Sequence, residues 1–178
     1  ETFKNYNEVD GLQSNEFNVG ASFKSAKGEL FFGGINGFNR FFPEHIIDDT
    51  VPPTVVITNM LLFNKPVSTV QNNDKLSNKK SEFVLNRTIY SSKEITLTYL
   101  ENIVTFEFSA LHFTNTKKIK YAYKLDGWDS DWVSTDYKNR RATYTNLPDG
   151  EYLFRVKASN ADGFWNNEGT SLNITVLP

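Results

Sequence analysis

The chain is 178 residues long, 15% aromatic with 15 phenylalanines, free of cysteine, and carries a formal net charge of −2. That length supports one large or two small domains with a sizeable core, and the missing cysteines exclude disulfides, thiolate metal sites and a cysteine nucleophile. Charges of both signs are interspersed, which argues against nucleic-acid binding and a polybasic membrane patch, and no apolar run approaches the ~20 residues that span a bilayer.

Long helical patterns are absent, and short strand-like segments bounded by Asn, Asp, Gly and Pro predict an all-β protein. In "GASFKSAKGELFFGGINGF", Ala21, Phe23, Leu30, Phe32 and Ile35 are separated by glycine-containing turns, which predicts a meander of two or three strands. A meander that small cannot bury both faces by itself. Pro52 and Pro53 then mark a boundary, because proline cannot donate to a ladder and pushes its predecessor to extended geometry. Residues 1–50 and 51–178 are therefore expected as separate domains.

Beyond the prolines, Val55, Ile57 and Leu61 are expected to face the core of a first strand, and "NKPV" to turn into a short edge strand. The stretch from Ser68 to Arg87 is polar and weakly patterned. It reads as a surface excursion with one strand near Phe83 to Leu85. Alternation returns with Ile95, Leu97 and Tyr99 on one face, then Val104, Phe106 and Phe108 after a turn at Glu101 and Asn102. "IKYAYKL" points Ile119, Tyr121, Tyr123 and Leu125 inward, with Lys120, Ala122 and Lys124 outward. In "GEYLFRVKAS", Tyr152, Phe154, Val156 and Ala158 face in, while Leu153, Arg155, Lys157 and Ser159 face out. "SLNITVL" is expected to close the sheet. The chain starts in a polar stretch without a basic-then-apolar leader and ends on "ITVLP"; both ends read as cuts in a longer protein.

"NLPDGEYLFRVKASNADG" resembles the corner of an immunoglobulin or fibronectin III-like β-sandwich, which implies that Leu147 plugs the core. It also implies a largely buried Tyr152 whose hydroxyl bonds to backbone upstream, as a tyrosine corner. Together with "YAYKLDGWDSDW" and "RRATYTNLPDGEY", it is similar to the three-tyrosine (Y_Y_Y) domain of hybrid two-component sensors from polysaccharide-degrading bacteria. The resemblance rests on Tyr123, Leu125, Gly127, Trp132, Tyr144, Leu147, Gly150, Tyr152, Ala158, Asn160 and Gly163. Upstream, "GELFFGGINGFNRF" resembles the last blade of a regulator-type β-propeller through Gly28, Leu30, Phe32, Gly33, Gly37 and Phe41. A single such unit cannot form a propeller. The resemblance implies the periplasmic portion of an inner-membrane protein, whose kinase and other catalytic parts lie outside these residues. It implies a homodimer as well, and a glycan held by propeller blades that this chain lacks.

The acidic run around Trp128 tests badly as a calcium loop, because Gly127 follows the first aspartate instead of the third. Asp126 and Gly127 read as a hairpin turn pair, Asp129 and Asp131 as solvated turn residues, and Trp132 as an inward-packed side chain. Trp128 and Trp165 are the candidate glycan contacts, since indole faces stack on apolar sugar faces. His45 and His112 are isolated, and the pairs Asp48/Asp49 and Asp129/Asp131 have no histidine nearby in sequence. No catalytic residue, metal or cofactor is therefore expected. The leading reading is a non-enzymatic signal-relay module of a glycan-responsive sensor. The alternative is a carbohydrate-binding or accessory β-sandwich of a secreted glycosidase.

Overall fold

The structure, a computed structural model, describes residues 3–70 and 83–178. The chain divides into two compact units, Glu1–Thr50 and Val51–Pro178.

In the first unit, β1 (Phe17–Lys24), β2 (Leu30–Gly34) and β3 (Gly37–Phe41) form an antiparallel meander in that order. A register irregularity between Phe17 and Ser22 contains Gly20 at φ 78, a backbone angle that costs glycine little. Phenylalanine pairs line both faces: Phe17, Phe32 and Phe41 on one, Phe23, Phe31 and Phe38 on the other. Three strands cannot cover two such faces. All eight residues of β1 are exposed, with Phe23 and Phe38 well in solvent.

The second unit is a β-sandwich. One sheet holds β12 (Arg141–Thr145), β9 (Ile103–Leu111), β4 (Thr54–Leu62) and β5 (Lys65–Pro66) in that order. The other runs β11 (Val133–Asp136), β10 (Lys120–Asp126), β13 (Gly150–Ser159), β14 (Thr170–Leu177), β8 (Glu94–Thr98). A parallel pair of two-residue strands, β6 (Ser68–Thr69) and β7 (Val84–Leu85), stands apart from both sheets. The rest of the polar excursion, residues 71–82, lies outside the described residues.

Between the sheets Phe106, Phe108, Phe154 and Tyr121 are almost wholly buried, with Phe106 and Phe154 stacked at 4.8 Å between ring centroids. Each fully buried phenylalanine contributes about 2–3 kcal/mol of hydrophobic stabilisation, so these aromatics and the surrounding Ile, Leu and Val hold the layers together.

Several expectations need correction. A β-bulge between Ile57 and Asn59 shifts the pleat of β4 by one residue, so Met60 and Leu62 enter the core and Leu61 does not. β8 stops at Thr98, and the turn that follows carries Tyr99 into solvent. β14 does not close its sheet: it lies between β13 and β8, pairing antiparallel with one and parallel with the other. On the outward face, Ala122 and Ser159 are buried, because aromatic side chains cover part of that side as well.

Candidate functional site

The chain enters the sandwich at Val51 and leaves it at Leu177. Strand directions place these points at opposite ends: β4 starts where β14 starts and β9 ends, and β14 ends beside the close of β8 and the start of β13. A series of polar bonds ties the layers together between the two ends.

At the upstream end, two asparagines from the β13–β14 connection and the first residue of β14 hold the incoming backbone. Asn160, buried at 1% exposure, donates from Nδ2 to the Val51 carbonyl at 3.0 Å. Its Oδ1 accepts the backbone N–H groups of Asp162 (3.1 Å) and Phe164 (2.9 Å), which makes the connection a folded turn. Gly163, at φ 89 within that turn, takes an angle that a side chain would oppose. Asn166 donates to the Pro53 carbonyl at 2.9 Å and accepts from Gly169 N–H at 3.1 Å, and the Thr170 hydroxyl donates to the Val55 carbonyl. Pro52 and Pro53 have no N–H, so their segment cannot join a ladder by donating, and the asparagines capture its carbonyls instead.

Still toward the upstream end, where Ala110 pairs with Val55 and Tyr121 with Ala158, the Ala110 N–H of β9 donates to the Tyr121 hydroxyl of β10 at 3.1 Å and joins the two sheets through the core. Tyr121 was not among the expected site residues. Tyr123, two residues on, contributes its ring to the cluster, 5.8 Å from Phe108 and 6.4 Å from Phe154.

At the downstream end, Asp129 is not a solvated turn residue. Its Oδ2 accepts the Leu125 N–H at 2.7 Å and the Tyr144 hydroxyl at 2.8 Å, linking the loop after β10 to β12 in the opposite sheet. Burial, then the Asp129 hydrogen bond and its charge, push the Tyr144 hydroxyl well above the usual tyrosine range. Tyr123 is raised too, by burial and then by the Asp129 charge.

Tyr152 donates to the Pro148 carbonyl at 3.0 Å, the bond of a tyrosine corner, but its ring is only partly buried. Leu147 packs partly buried against the core. Gly127, at φ 93, lets the chain cross the Tyr152 ring, where an added Cβ would sit 3.1 Å from Cδ1. Gly150 lies on the same ring. Asp126 and Gly127 do make a β-turn, closed by Trp128 N–H to Leu125 carbonyl at 3.0 Å. They do not close the hairpin: β10 and β11 pair only from Tyr123 and Val133 outward, so the loop is long.

The tryptophans do not form a platform. Trp132 is half-buried on the outward face, with Lys157 Nζ 4.5 Å and Arg155 Cζ 5.0 Å from its ring centroid. It therefore stacks under cations instead of entering the core. Arg155 meets Asp126 through two nitrogens, at 2.7 and 3.0 Å. Trp165, half-buried and bridged to Ser159, shares Lys157 at 5.5 Å. Trp128, 48% exposed, follows the other end of β10, roughly 20 Å from Trp165 at ~3.3 Å per strand residue. The two candidate glycan contacts are not brought together. Among the described residues no group of three His, Cys, Asp or Glu could hold a metal ion, and no helix is long and apolar enough to cross a membrane.

Residues 112–177 match the Y_Y_Y domain family. Over 97% of its length the chain is 32% identical to Histidine kinase P4 of Formosa agariphila, of which it spans 12%. It is similar to the extracellular domain of a proposed hybrid two-component system of B. thetaiotaomicron, BT3049, with a TM-score of 0.75 and 28% identity, covering 97% of this chain and 22% of that one. A second extracellular domain from the same organism, of the proposed hybrid system BT4673, gives a TM-score of 0.60 and 26% identity, covering 88% of this chain and 20% of that one.

Proposed function

We propose that this chain, whose residues 112–177 match the Y_Y_Y domain family, is a non-enzymatic signal-relay module in the periplasmic part of an inner-membrane two-component sensor. It couples a propeller that binds glycan to a membrane-spanning histidine kinase. The observation that carries the reading is the polar stitching of the upstream backbone: Asn160, Asn166 and Thr170 hold Val51, Pro53 and Val55. β13 and β14 flank this stitched connection, and β14 runs without interruption to Leu177. A displacement imposed at Val51 is thereby passed to the strand that leaves at the far end. The exposed edge and phenylalanine faces of β1 to β3 favour a first unit that is the last blade of a larger propeller. A homodimer with its two downstream ends side by side would let relative movement of the sandwiches reach paired membrane helices.

The test uses the full-length parent with a transcriptional reporter. Asn160→Ala with Asn166→Ala should uncouple reporter output from glycan binding while leaving glycan affinity unchanged. Unchanged output would overturn the relay. Titrating this chain against an oligosaccharide panel by calorimetry addresses the alternative: specific binding by these 178 residues would favour a carbohydrate-binding sandwich. Light scattering across concentrations tests the homodimer, and a monomeric mass throughout would count against it.

A further inference from the structure

The downstream end of the sandwich carries large apolar side chains from three separate turns and the last strand. Phe63 (48% exposed) lies in the β4–β5 turn, Tyr99 (67%) and Leu100 (61%) in the β8–β9 turn, Trp128 (48%) after β10, and Leu177 (43%) at the end of β14. Strand register puts them at one end. Leu62 pairs with Val104, Leu177 with Thr98, Val176 with Gly150, and Asp126 with Leu153. Phe63 N–H donates to the Ile103 carbonyl at 3.0 Å, and Asn146 N–H to the Asn102 carbonyl at 2.8 Å, so the turns are fastened to one another.

Phe63 adds an independent signal. It sits at φ 52, followed by Asn64 at φ 60; among the described residues every other non-glycine with positive φ is asparagine. Turns of this kind favour Asn and Gly, and a bulky residue there is a strained exception. Strained backbone of this kind clusters at functional sites, and here it carries an aromatic that stays about half exposed. The upstream end exposes apolar side chains too, among them Val51, Leu111, Phe113 and Phe164, but among the described residues it has no strained aromatic of this kind.

We infer that this end of the sandwich rests on the lipid bilayer, with Phe63, Tyr99, Leu100 and Trp128 entering the boundary between headgroups and acyl chains. The inference rests on the relay reading above, which sends the chain from Leu177 to the membrane. The arrangement suits a bilayer better than a protein partner. The apolar groups stand on separate turns with Asn64 and Asn102 among them, and Tyr and Trp are the side chains that favour the interface of a membrane. The nearby charges, Lys65 against Glu101, Asp129 and Asp149, are acidic on balance, so attraction to anionic lipid is not the driving force. Insertion this shallow is weak without a second anchor. It would hold the sandwich at a fixed height and tilt over its own membrane segment.

The test tethers the 178-residue chain through a hexahistidine tag after Pro178 to phosphatidylethanolamine/phosphatidylglycerol vesicles that contain a nickel-chelating lipid and brominated acyl chains. Bromine quenches tryptophan only at short range. The expected result is quenching of the native protein, insensitive to added salt, absent in Trp128→Phe, and lost in Phe63→Asn/Tyr99→Ser/Leu100→Ser. Circular dichroism checks that this triple variant folds, and its melting temperature should not fall, because asparagine suits the strained position. No quenching of the native protein, or equal quenching of the triple variant, overturns the inference. A dimeric native mass that becomes monomeric in the triple variant also overturns it and assigns the surface to a second copy. Failure here leaves the reporter test of the relay untouched, and failure of that test leaves this measurement interpretable.

Discussion

Replacing Asp129 by alanine removes one acceptor that serves two donors from opposite sheets. Both bonds are short, 2.7 Å from Leu125 N–H and 2.8 Å from the Tyr144 hydroxyl, and both end on a carboxylate oxygen. A hydrogen bond to a charged group contributes about 1.5 kcal/mol or more net, and Tyr144, at 5% exposure, has little access to replacement water. The expected loss is therefore about 3 kcal/mol. With an unfolding entropy near 2.1 cal/mol/K per residue, the unit Val51–Pro178 melts with about 0.27 kcal/mol/K, so Tm should fall by about 11 °C. Tyr144→Phe deletes one of the two bonds and should cost about half as much. Urea denaturation followed by circular dichroism, run as a double-mutant cycle, gives the coupling between the two residues. A loss below about 0.5 kcal/mol for Asp129→Ala, the range of surface substitutions, would refute the brace and return Asp129 to a solvated turn. pH offers a separate check. Folding raises the Tyr144 pKa, so the folded state keeps a proton that the unfolded chain releases near pH ~10. Stability should be level in this respect below that pH and fall above it, and Tyr144→Phe should make the alkaline fall shallower.

Tyr152→Phe removes only the donor to the Pro148 carbonyl and should lower stability by about 1 kcal/mol in urea titrations; no loss would remove the energetic role of the corner. Asn160→Ala removes the donor to the Val51 carbonyl and the acceptor of two loop N–H groups and should cost about 2–3 kcal/mol, with faster amide exchange around Phe164 as its local signature. Millimolar calcium or a chelator should leave Tm unchanged, because the aspartates around Trp128 are bonded to Tyr144, Arg155 and local backbone; a calcium-dependent rise would revive a metal loop.

What could be read in the sequence was what local periodicity controls. The alternation in "IKYAYKL" and "GEYLFRVKAS" placed Tyr121, Leu125, Phe154 and Val156 in the core, because in a strand the face of a residue depends only on its phase. Where the phase slips, the same reasoning fails. The β4 bulge moved Met60 and Leu62 inward, and one residue fewer in β8 sent Tyr99 outward. The downstream brace was harder to see, since Asp129 gains its role only when β12 brings Tyr144 across from the other sheet. Trp132 misled for a related reason: a large apolar ring reads as core, whereas Arg155 and Lys157, displayed by the neighbouring strand, give it a cationic cover on the outside. Asn160 could be matched to a pattern, but its partner Val51 lies 109 positions away, beyond any local rule.

The flanked position of β14 has a mechanical consequence. A terminal strand at a sheet edge can be peeled away one hydrogen bond at a time by a pull on its end. β14 has no free edge: from Thr170 to Val176 it pairs with β13, and from Asn173 to Leu177 with β8. Ladder bonds run across the strand, so a pull on Leu177 along the strand axis strains both rows in shear at once, while Leu172, Ile174 and Val176 resist sliding from within the core. A short thrust or tug at this end therefore moves the sheet as a body before it unravels the strand, which makes the last eight residues of the fold a stiff handle.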